Sequence, residues 1–180
     1  MPVLDASLPL ETLPQMLLDV AAIERNIALK EAWTRDHGMV LAPHIKTTMT
    51  EEIVRRQLPG CWGVTVATTA QAAKAVEWGA RRVLIVNEVL FRGHLEQLRS
   101  MLTADPELEI YALADSAAGV AAAAEVFRGA AVPLRVLIDI GVSGGRTGIR
   151  TSGEAGPLAA LVTDAEGLLL AGRALGCRQV

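Results

Sequence analysis

The sequence is poor in aromatic residues and contains no long uninterrupted apolar run. Phenylalanine, tyrosine and tryptophan make up 3% of its 180 residues, so no stacking platform for nucleic-acid bases is indicated. Apolar residues reach 51%, but charged residues or glycine interrupt them every few positions. No stretch approaches the roughly 20 apolar residues that a membrane-spanning helix needs. The composition therefore favours a globular chain without a membrane partner.

The sequence also lacks paired cysteines and an excess of positive charge. Cys61 and Cys177 form no CxxC motif, so neither a thiol redox pair nor a zinc knuckle is present, and a reducing compartment, the cytoplasm, is expected. The net charge is −3, which does not provide the positive field that nucleic acids select, and no nucleic-acid partner is expected. Residues 1–10 have no basic start followed by an apolar run, so no secretion signal is expected.

Apolar residues follow two alternating spacings along the chain. Short β-branched runs predict strands, and alanine-rich stretches with helical spacing predict helices. The predicted strands are residues 16–20, 39–43, 63–67, 82–86, 109–113, 134–140 and 167–171. The predicted helices are residues 21–36, 50–58, 69–78, 92–103, 116–127 and 154–163.

Several of the predicted strands are continuously apolar, as in residues 83–86 and 136–138. Such strands are typical of sheets covered on both faces, and repeated strand–helix–strand units indicate a parallel α/β sheet. A complete (β/α)8 barrel needs roughly 250 residues in eight units, and this chain supplies about six or seven. The residues leave two alternatives, an open doubly wound sheet and a barrel without its last units.

Polar side chains follow most of the predicted strands at their carboxyl ends. Parallel α/β folds bind their ligands there, so these residues predict a site at the edge of the sheet where the strands end, which we call the rim. They are His44, Lys46, Thr47, Thr68, Thr69, Asn87, Glu88, Asp115 and the loop of residues 141–146.

Lys46 is the most informative of these residues. Neighbouring strands would shield its amine from water, and burial favours the neutral form of a lysine, which attacks carbonyl groups. A surface lysine in a loop is the commoner alternative. His44 is interpreted either as a residue that orients a ligand or as a hydrogen-bonded core histidine.

The segment of residues 141–148 is dense in glycine, which suits either close approach to a ligand or a tight turn. Within it, Arg146 either contacts a phosphate, a carboxylate or a ring nitrogen, or is a solvated loop residue. The glycines match neither the dinucleotide-binding nor the Walker pattern, so nucleotide binding is not supported.

The same segment also matches the GxSxG pattern of serine hydrolases, with Ser143 as nucleophile. No histidine follows Ser143 in the sequence, so the order of residues in those hydrolases is impossible here. A serine hydrolase stays a weak alternative, and a non-catalytic binding domain is the third class of function.

Several separate motifs occur in an order that resembles a known enzyme family. They are residues 17–20 with 23–27, residues 42–49, residues 63–68, residues 86–88 and residues 144–148. Together they resemble the D-threonine aldolase and D-serine dehydratase family, and their wording is most similar to the members called amino acid deaminases. The resemblance runs from about Leu13 to Leu170.

The resemblance implies a pyridoxal-phosphate enzyme of the alanine racemase N-terminal type that acts on a small D-amino acid such as D-serine or D-threonine. Lys46 falls on the Schiff-base lysine of the family and Arg146 on the arginine beside the pyridine nitrogen. His44, Thr68 and Asn87 are expected to contribute to cofactor binding. An arginine at that nitrogen keeps it unprotonated, which leaves Lys46 as the base at the α-carbon. Deamination is favoured over aldol cleavage.

The resemblance also implies that this chain is incomplete. On the family pattern, residues 16–20 belong to a C-terminal β-domain, and about six of the eight barrel strands are present. After Gly172 the sequence departs from the family, so the C-terminal domain and its metal ligands are absent. We therefore expect residues 1–180 to be a partial barrel domain of a truncated enzyme. The full-length enzyme is expected to be a homodimer that uses a divalent metal.

Overall fold

The computed structural model describes residues 18–175, which form two compact units divided between Leu41 and Ala42. Within that range the helices are α1 (Val20–Asp36), α2 (Glu51–Gln57), α3 (Thr69–Glu77), α4 (Arg92–Ala104), α5 (Ala117–Phe127) and α6 (Ser152–Asp164). The strands are β1 (Val64–Val66), β2 (Arg82–Glu88), β3 (Glu109–Ala114), β4 (Leu134–Ile140) and β5 (Leu168–Leu175). Short 3₁₀ turns cover Ile45–Thr47 and Leu58–Gly60. No helix of this part of the chain is long and apolar enough to cross a membrane.

The first unit contains α1, which begins directly after an effective capping residue. The Asp19 carboxylate accepts a hydrogen bond from the Ala22 N–H at 2.9 Å, as N-terminal caps do. The predicted strand at residues 16–20 is therefore wrong where the structure describes it, since Val20 already begins the helix. Met16 and Leu17 lie outside the described residues.

The five strands of the second unit form one parallel sheet in the order of the sequence, β1-β2-β3-β4-β5. Crossovers between parallel strands are right-handed, so a sequential order places all the connecting helices on the same face of the sheet. A doubly wound sheet instead reverses its order and has helices on both faces. Of the two alternatives, the strand order selects an incomplete barrel, which confirms the fold predicted from the resemblance.

The predicted strand at residues 39–43 is wrong, because none of these residues forms a ladder and a single bridge follows at His44. His44 pairs in parallel with Thr65, and the Thr65 N–H and hydroxyl donate to the carbonyls of Pro43 and Ala42 at 2.8 and 2.9 Å. Pro43 has no N–H group, so this segment cannot form a longer ladder with β1. The bridge still sets residues 42–44 beside β1 in the position of a further barrel strand, with Lys46 directly after it.

The core lies between the sheet and the helices that cover it. Val83 and Ile85 of β2 are fully buried with Leu95 and Leu98 of α4, whereas Leu84, which alternates with them along the strand, is only half-buried. Successive strand residues point to opposite faces. The half-buried face is the one that lines the interior of a barrel, and five strands do not close around it.

A cluster of charged and aromatic side chains lies where β3 begins. The Glu109 carboxylate accepts hydrogen bonds from the Tyr111 hydroxyl at 2.5 Å and from Arg82 Nε at 3.1 Å, and it pairs with Arg135 at 3.5 Å. The Tyr111 ring also contacts Trp62, with centroids 5.1 Å apart. This end of the sheet is opposite to the rim that carries the predicted site.

Candidate active site

Lys46 lies in the short turn that follows the His44–Thr65 bridge. The turn is fixed by Ile45, whose side chain is buried in the core, and Lys46 itself is half-buried. Residues 18–175 provide no carboxylate that pairs with its ammonium. The carboxyl end of the bridged segment thus presents a lysine whose amine is not engaged in an ion pair.

The pKa of His44 depends on its burial and on the charge of Lys46. Partial desolvation of its ring lowers the pKa of His44 below 6.5, and the nearby Lys46 charge lowers it further. Both effects disfavour a second positive charge at this point of the rim. The neutral imidazole can accept as well as donate a hydrogen bond, which suits a residue that orients a ligand.

Arg146 reaches from the glycine-rich loop to the carboxyl end of β2. Its Nη1 donates to Asn87 Oδ1 at 2.9 Å and its Nη2 to the Val86 carbonyl at 3.3 Å. Asn87 is held in turn, because its Nδ2 donates to the Ala67 carbonyl at 2.6 Å. Among residues 18–175 the Arg146 guanidinium bonds only to neutral groups, so its charge is available to a ligand.

Glu88 fixes the next part of the rim. Its carboxylate accepts hydrogen bonds from the backbone N–H groups of Asp115 and Ser116 at 3.2 and 3.1 Å and from the Ser116 hydroxyl at 2.9 Å. The Asp115 carboxylate accepts the Gly148 N–H at 2.7 Å. Burial raises the pKa of Glu88, and the hydrogen bond from Ser116 opposes that rise. These contacts connect the end of β2 to the start of α5 and to the glycine-rich loop.

A cavity of about 400 Å³ opens at the carboxyl ends of β1 to β3. Thr68, Asn87, Asp115 and Thr147 supply polar lining, and Leu90 and Phe91 supply apolar lining. Thr68 also caps α3, since its hydroxyl accepts the Gln71 N–H at 3.2 Å. The size and mixed lining are those of a small-molecule site.

The structure joins some of the sequence-predicted residues directly. Arg146 and Asn87 are hydrogen-bonded, Asn87 and Thr68 share the cavity wall, and His44 and Lys46 influence each other through charge. No hydrogen bond joins Lys46 to Arg146 in the part of the chain that the structure describes. Their roles in binding a cofactor stay predictions.

Sequence reasoning missed Arg150. Its guanidinium donates to three carbonyls of the glycine-rich loop, those of Val142, Gly145 and Thr147. The visible signal was an arginine that directly follows a glycine-dense segment, because such a segment exposes many carbonyls to one donor. The regular spacing of a helix or strand does not reveal such a contact.

The turn of a serine hydrolase is not formed at Ser143. In those enzymes a helix follows the nucleophile at once, whereas here the chain continues as a loop to Thr151, and α6 begins at Ser152. Ser143 itself is exposed.

Between Leu18 and Leu175, no group of three or more histidine, cysteine, aspartate or glutamate side chains converges closely enough to hold a metal ion.

Comparison with known proteins gives two matches to D-threonine aldolase. The chain is 28% identical over 160 residues to D-threonine aldolase from an Arthrobacter species, over 88% of this chain and 41% of that protein. It superposes on the crystal structure of D-threonine aldolase from Filomicrobium marinum with a TM-score of 0.83 and 30% identity, over 89% of this chain and 43% of that one. No family model matches the chain.

Two further solved structures share the fold. D-threo-3-hydroxyaspartate dehydratase from Delftia sp. HT23 gives a TM-score of 0.76 at 24% identity, over 88% of this chain and 41% of that one. Alanine racemase from E. faecalis gives 0.71 at 21% identity, over 88% and 42%. The chain spans about two fifths of the length of each of these four proteins. The resemblance to the D-threonine aldolase family is therefore confirmed, in a barrel of the alanine racemase type.

Proposed function

We propose that this chain forms the lysine- and arginine-bearing part of a pyridoxal-phosphate site in an enzyme that acts on β-hydroxy D-amino acids. The observation that carries the proposal is the pair of unneutralised cations on one rim. Lys46 has no carboxylate partner within residues 18–175, and Arg146 is bonded only to neutral groups at the end of β2. A fixed rim of this kind suits a ligand that carries both an electrophile and anionic or basic acceptors.

The chemistry of these donors fits the coenzyme. Its aldehyde requires an amine, which Lys46 supplies, and its ring nitrogen and phosphate both accept from a guanidinium such as that of Arg146. Asn87 and Thr68 line the adjacent cavity and offer an amide and a hydroxyl to the remaining ring substituents. The neutral form of His44, favoured by partial desolvation and by Lys46, can contact an aromatic ring without adding charge.

When bound, pyridoxal phosphate supplies the electron sink that weakens the bonds to the α-carbon of an amino acid. Lys46 would hold the coenzyme through its amine and would serve as the base at the α-carbon of the substrate. Arg146 would hold the ring nitrogen by donating hydrogen bonds and would leave it unprotonated, because a guanidinium does not give up its proton in proteins. Asn87 keeps the Arg146 guanidinium oriented along the end of β2.

The favoured reaction is deamination of a small D-amino acid such as D-serine or D-threonine, in which loss of the β-hydroxyl leads to a keto acid and ammonia. Aldol cleavage is a second candidate, supported by the identities of 28% and 30% to proteins named D-threonine aldolase. The two reactions differ in products, since cleavage of D-threonine gives glycine and an aldehyde. Both would draw on a divalent metal, as the resemblance to the family implies. The homodimer and the cytoplasmic location also stay predictions.

The experiment is a titration of the chain with pyridoxal phosphate, followed by absorbance near the edge of the visible range. The native chain is expected to give a new band that saturates, and Lys46→Ala is expected to abolish it. The matched control is Lys74→Ala, which removes an exposed lysine paired with Glu77 on α3 and is expected to leave the band unchanged.

Two outcomes would contradict the proposal. One is the absence of a band at any coenzyme concentration from a chain with native circular dichroism. The other is a band that persists in Lys46→Ala and disappears in Lys74→Ala. Where the band is found, incubation with D-threonine and a divalent metal identifies the reaction: ammonia with a keto acid indicates deamination, and glycine indicates aldol cleavage.

A further inference from the structure

The glycine-rich loop of residues 141–148 is organised around one guanidinium. Arg150 Nη1 donates to the carbonyls of Val142 at 3.0 Å and Thr147 at 2.8 Å, and Nη2 donates to that of Gly145 at 2.7 Å. The five donors of a guanidinium point in fixed directions. A single side chain therefore fixes three carbonyls that are spread over six residues of the loop.

The glycines leave room for this guanidinium. A Cβ added at Gly141 would overlap both the Thr147 carbonyl and Arg150 Nη1, and one at Gly145 would lie 2.9 Å from the Val142 carbonyl. Gly148 has a φ of +90°, which favours glycine. The density of glycine, which the sequence alone left open between ligand approach and a turn, thus corresponds to a loop closed around Arg150.

The backbone of Arg150 is itself fixed. Its N–H donates to Glu154 Oε2 at 2.9 Å, in the first turn of α6, and the preceding residue Ile149 pairs in parallel with Ile140 at the end of β4. The guanidinium therefore projects from a position that is held by both the sheet and a helix. A displacement of the Arg150 side chain would release the loop and leave the ends of β4 and α6 in place.

Arg146 lies inside the loop that Arg150 closes. From there its guanidinium reaches Asn87 Oδ1 at 2.9 Å and the Val86 carbonyl at 3.3 Å. We propose that Arg150 is a positioning residue, which sets Arg146 against the end of β2 and so presents its charge to the coenzyme. The presentation of this charge to the coenzyme rests on the proposed function, whereas the positioning of Arg146 concerns the chain without coenzyme.

The first test measures hydrogen exchange of two bonded amides of the loop in the chain without coenzyme, those of Gly145 and Gly148, which donate to the Val142 carbonyl at 2.8 Å and to Asp115 Oδ2 at 2.7 Å. Loss of charge-assisted hydrogen bonds increases local opening, so Arg150→Met is expected to accelerate exchange there by about tenfold. Arg150→Lys keeps the charge but not the fork of donors and is expected to give a smaller acceleration. The control is Arg128→Met, an exposed arginine at the end of α5, which is expected to leave these amides unchanged.

The second test is a double-mutant cycle on coenzyme affinity with Arg146→Met. If Arg150 acts through Arg146, Arg150→Met weakens binding by about fivefold or more in the native background. In the Arg146→Met background the same change has almost no effect. A general loss of stability would instead weaken binding in both backgrounds.

The outcomes distinguish the positioning of the loop by Arg150 from its effect on coenzyme binding through Arg146. Exchange in Arg150→Met equal to that in Arg128→Met overturns the role in positioning the loop, and additive losses of affinity overturn the role through Arg146. If no variant binds the coenzyme while exchange accelerates as expected, the proposed function fails and the positioning of the loop stands. If Arg150→Met does not fold, Arg150→Lys carries both measurements.

Discussion

The pKa of His44 provides a measure of where the charge of Lys46 lies. The two side chains lie two positions apart around a short turn. Partial desolvation is the larger cause of the lowered pKa of His44, and the Lys46 ammonium is the smaller one. Removing the lysine charge takes away the second cause and leaves the first. The change in the pKa of His44 therefore reports how close the Lys46 amine lies to the imidazole.

We expect Lys46→Met to raise the pKa of His44 toward, but not above, 6.5. The ring protons of His44 followed by NMR from about pH 4 to 9 give this pKa directly. Lys74→Met is the control and is expected to leave it unchanged. A pKa of His44 that is the same in both variants would mean that the amine lies away from the ring, which contradicts the arrangement of the site.

Glu109 illustrates an electrostatic contribution at the opposite end of the sheet. The hydrogen bond from Tyr111 is the main reason that the pKa of Glu109 lies below 4.5, and Arg82 and Arg135 add to it. A carboxyl whose folded pKa is depressed stabilises the native state above its unfolded pKa, and this contribution is lost as the pH falls through the folded value.

Tyr111→Phe is accordingly expected to lower the free energy of unfolding by about 1 kcal/mol at pH 7. The difference from the native chain is expected to shrink below pH 4.5, because a protonated Glu109 no longer accepts a charge-assisted bond. Urea unfolding at several pH values measures this difference. The exposed Glu107→Gln serves as control, and a deficit of Tyr111→Phe that persists unchanged at low pH would contradict the pairing.

At the scale of elements, two helical glycines occupy different surroundings. Gly119, in the first turn of α5, is buried, and a Cβ built there would overlap the Glu88 carboxylate, whereas a Cβ at Gly93, in the first turn of α4, meets nothing within 4 Å. Alanine is favoured over glycine in a helix by about 1 kcal/mol when nothing opposes it. The opposite outcomes expected at the two positions isolate the contact between Glu88 and α5.

We expect Gly93→Ala to stabilise the chain by about 0.5–1 kcal/mol. Gly119→Ala is expected to destabilise it, since it displaces the carboxylate from the start of α5. Denaturant unfolding of both variants measures the two effects. Equal stabilisation by both alanines would show that Glu88 is not held at α5.

The elements themselves were largely predictable, because their signals are local. Ser116 caps α5 through the Gly119 N–H at 3.0 Å, and β4 covers the predicted residues 134–140. The failures were also local. Asp19 starts a helix where an apolar run suggested a strand. The strand predicted at residues 39–43 is absent, and a single bridge forms at His44, directly after Pro43.

Contacts between elements were not predictable in the same way. Arg146 and Asn87 are 59 residues apart in the sequence, and the position of each on a rim was foreseen without the bond between them. The order of strands decides which rim residues meet, and the residues alone left that order open between two architectures. The hydrogen bonds from Arg150 to the glycine-rich loop follow no periodicity and were not predicted.

At the scale of the whole molecule, the sheet is a barrel segment with an exposed last strand. Leu169, Leu170 and Leu175 of β5 are exposed, as expected of a strand that has β4 on one side and nothing described on the other. The same rim carries Lys46 beside β1, Asn87 at the end of β2, and Arg146, which reaches Asn87 from the loop after β4. The central claim is that this rim directs the coenzyme to one lysine among three.

Reduction of the coenzyme–protein adduct with borohydride, followed by peptide mass mapping, tests that claim most directly. The chain contains Lys30, Lys46 and Lys74; Lys30 and Lys74 are exposed and Lys46 is half-buried. Labelling by exposure alone would favour the two exposed lysines. We predict that the pyridoxyl group is found on Lys46 at stoichiometric coenzyme, whereas a label distributed over Lys30 and Lys74, with Lys46 unmodified, would contradict the account.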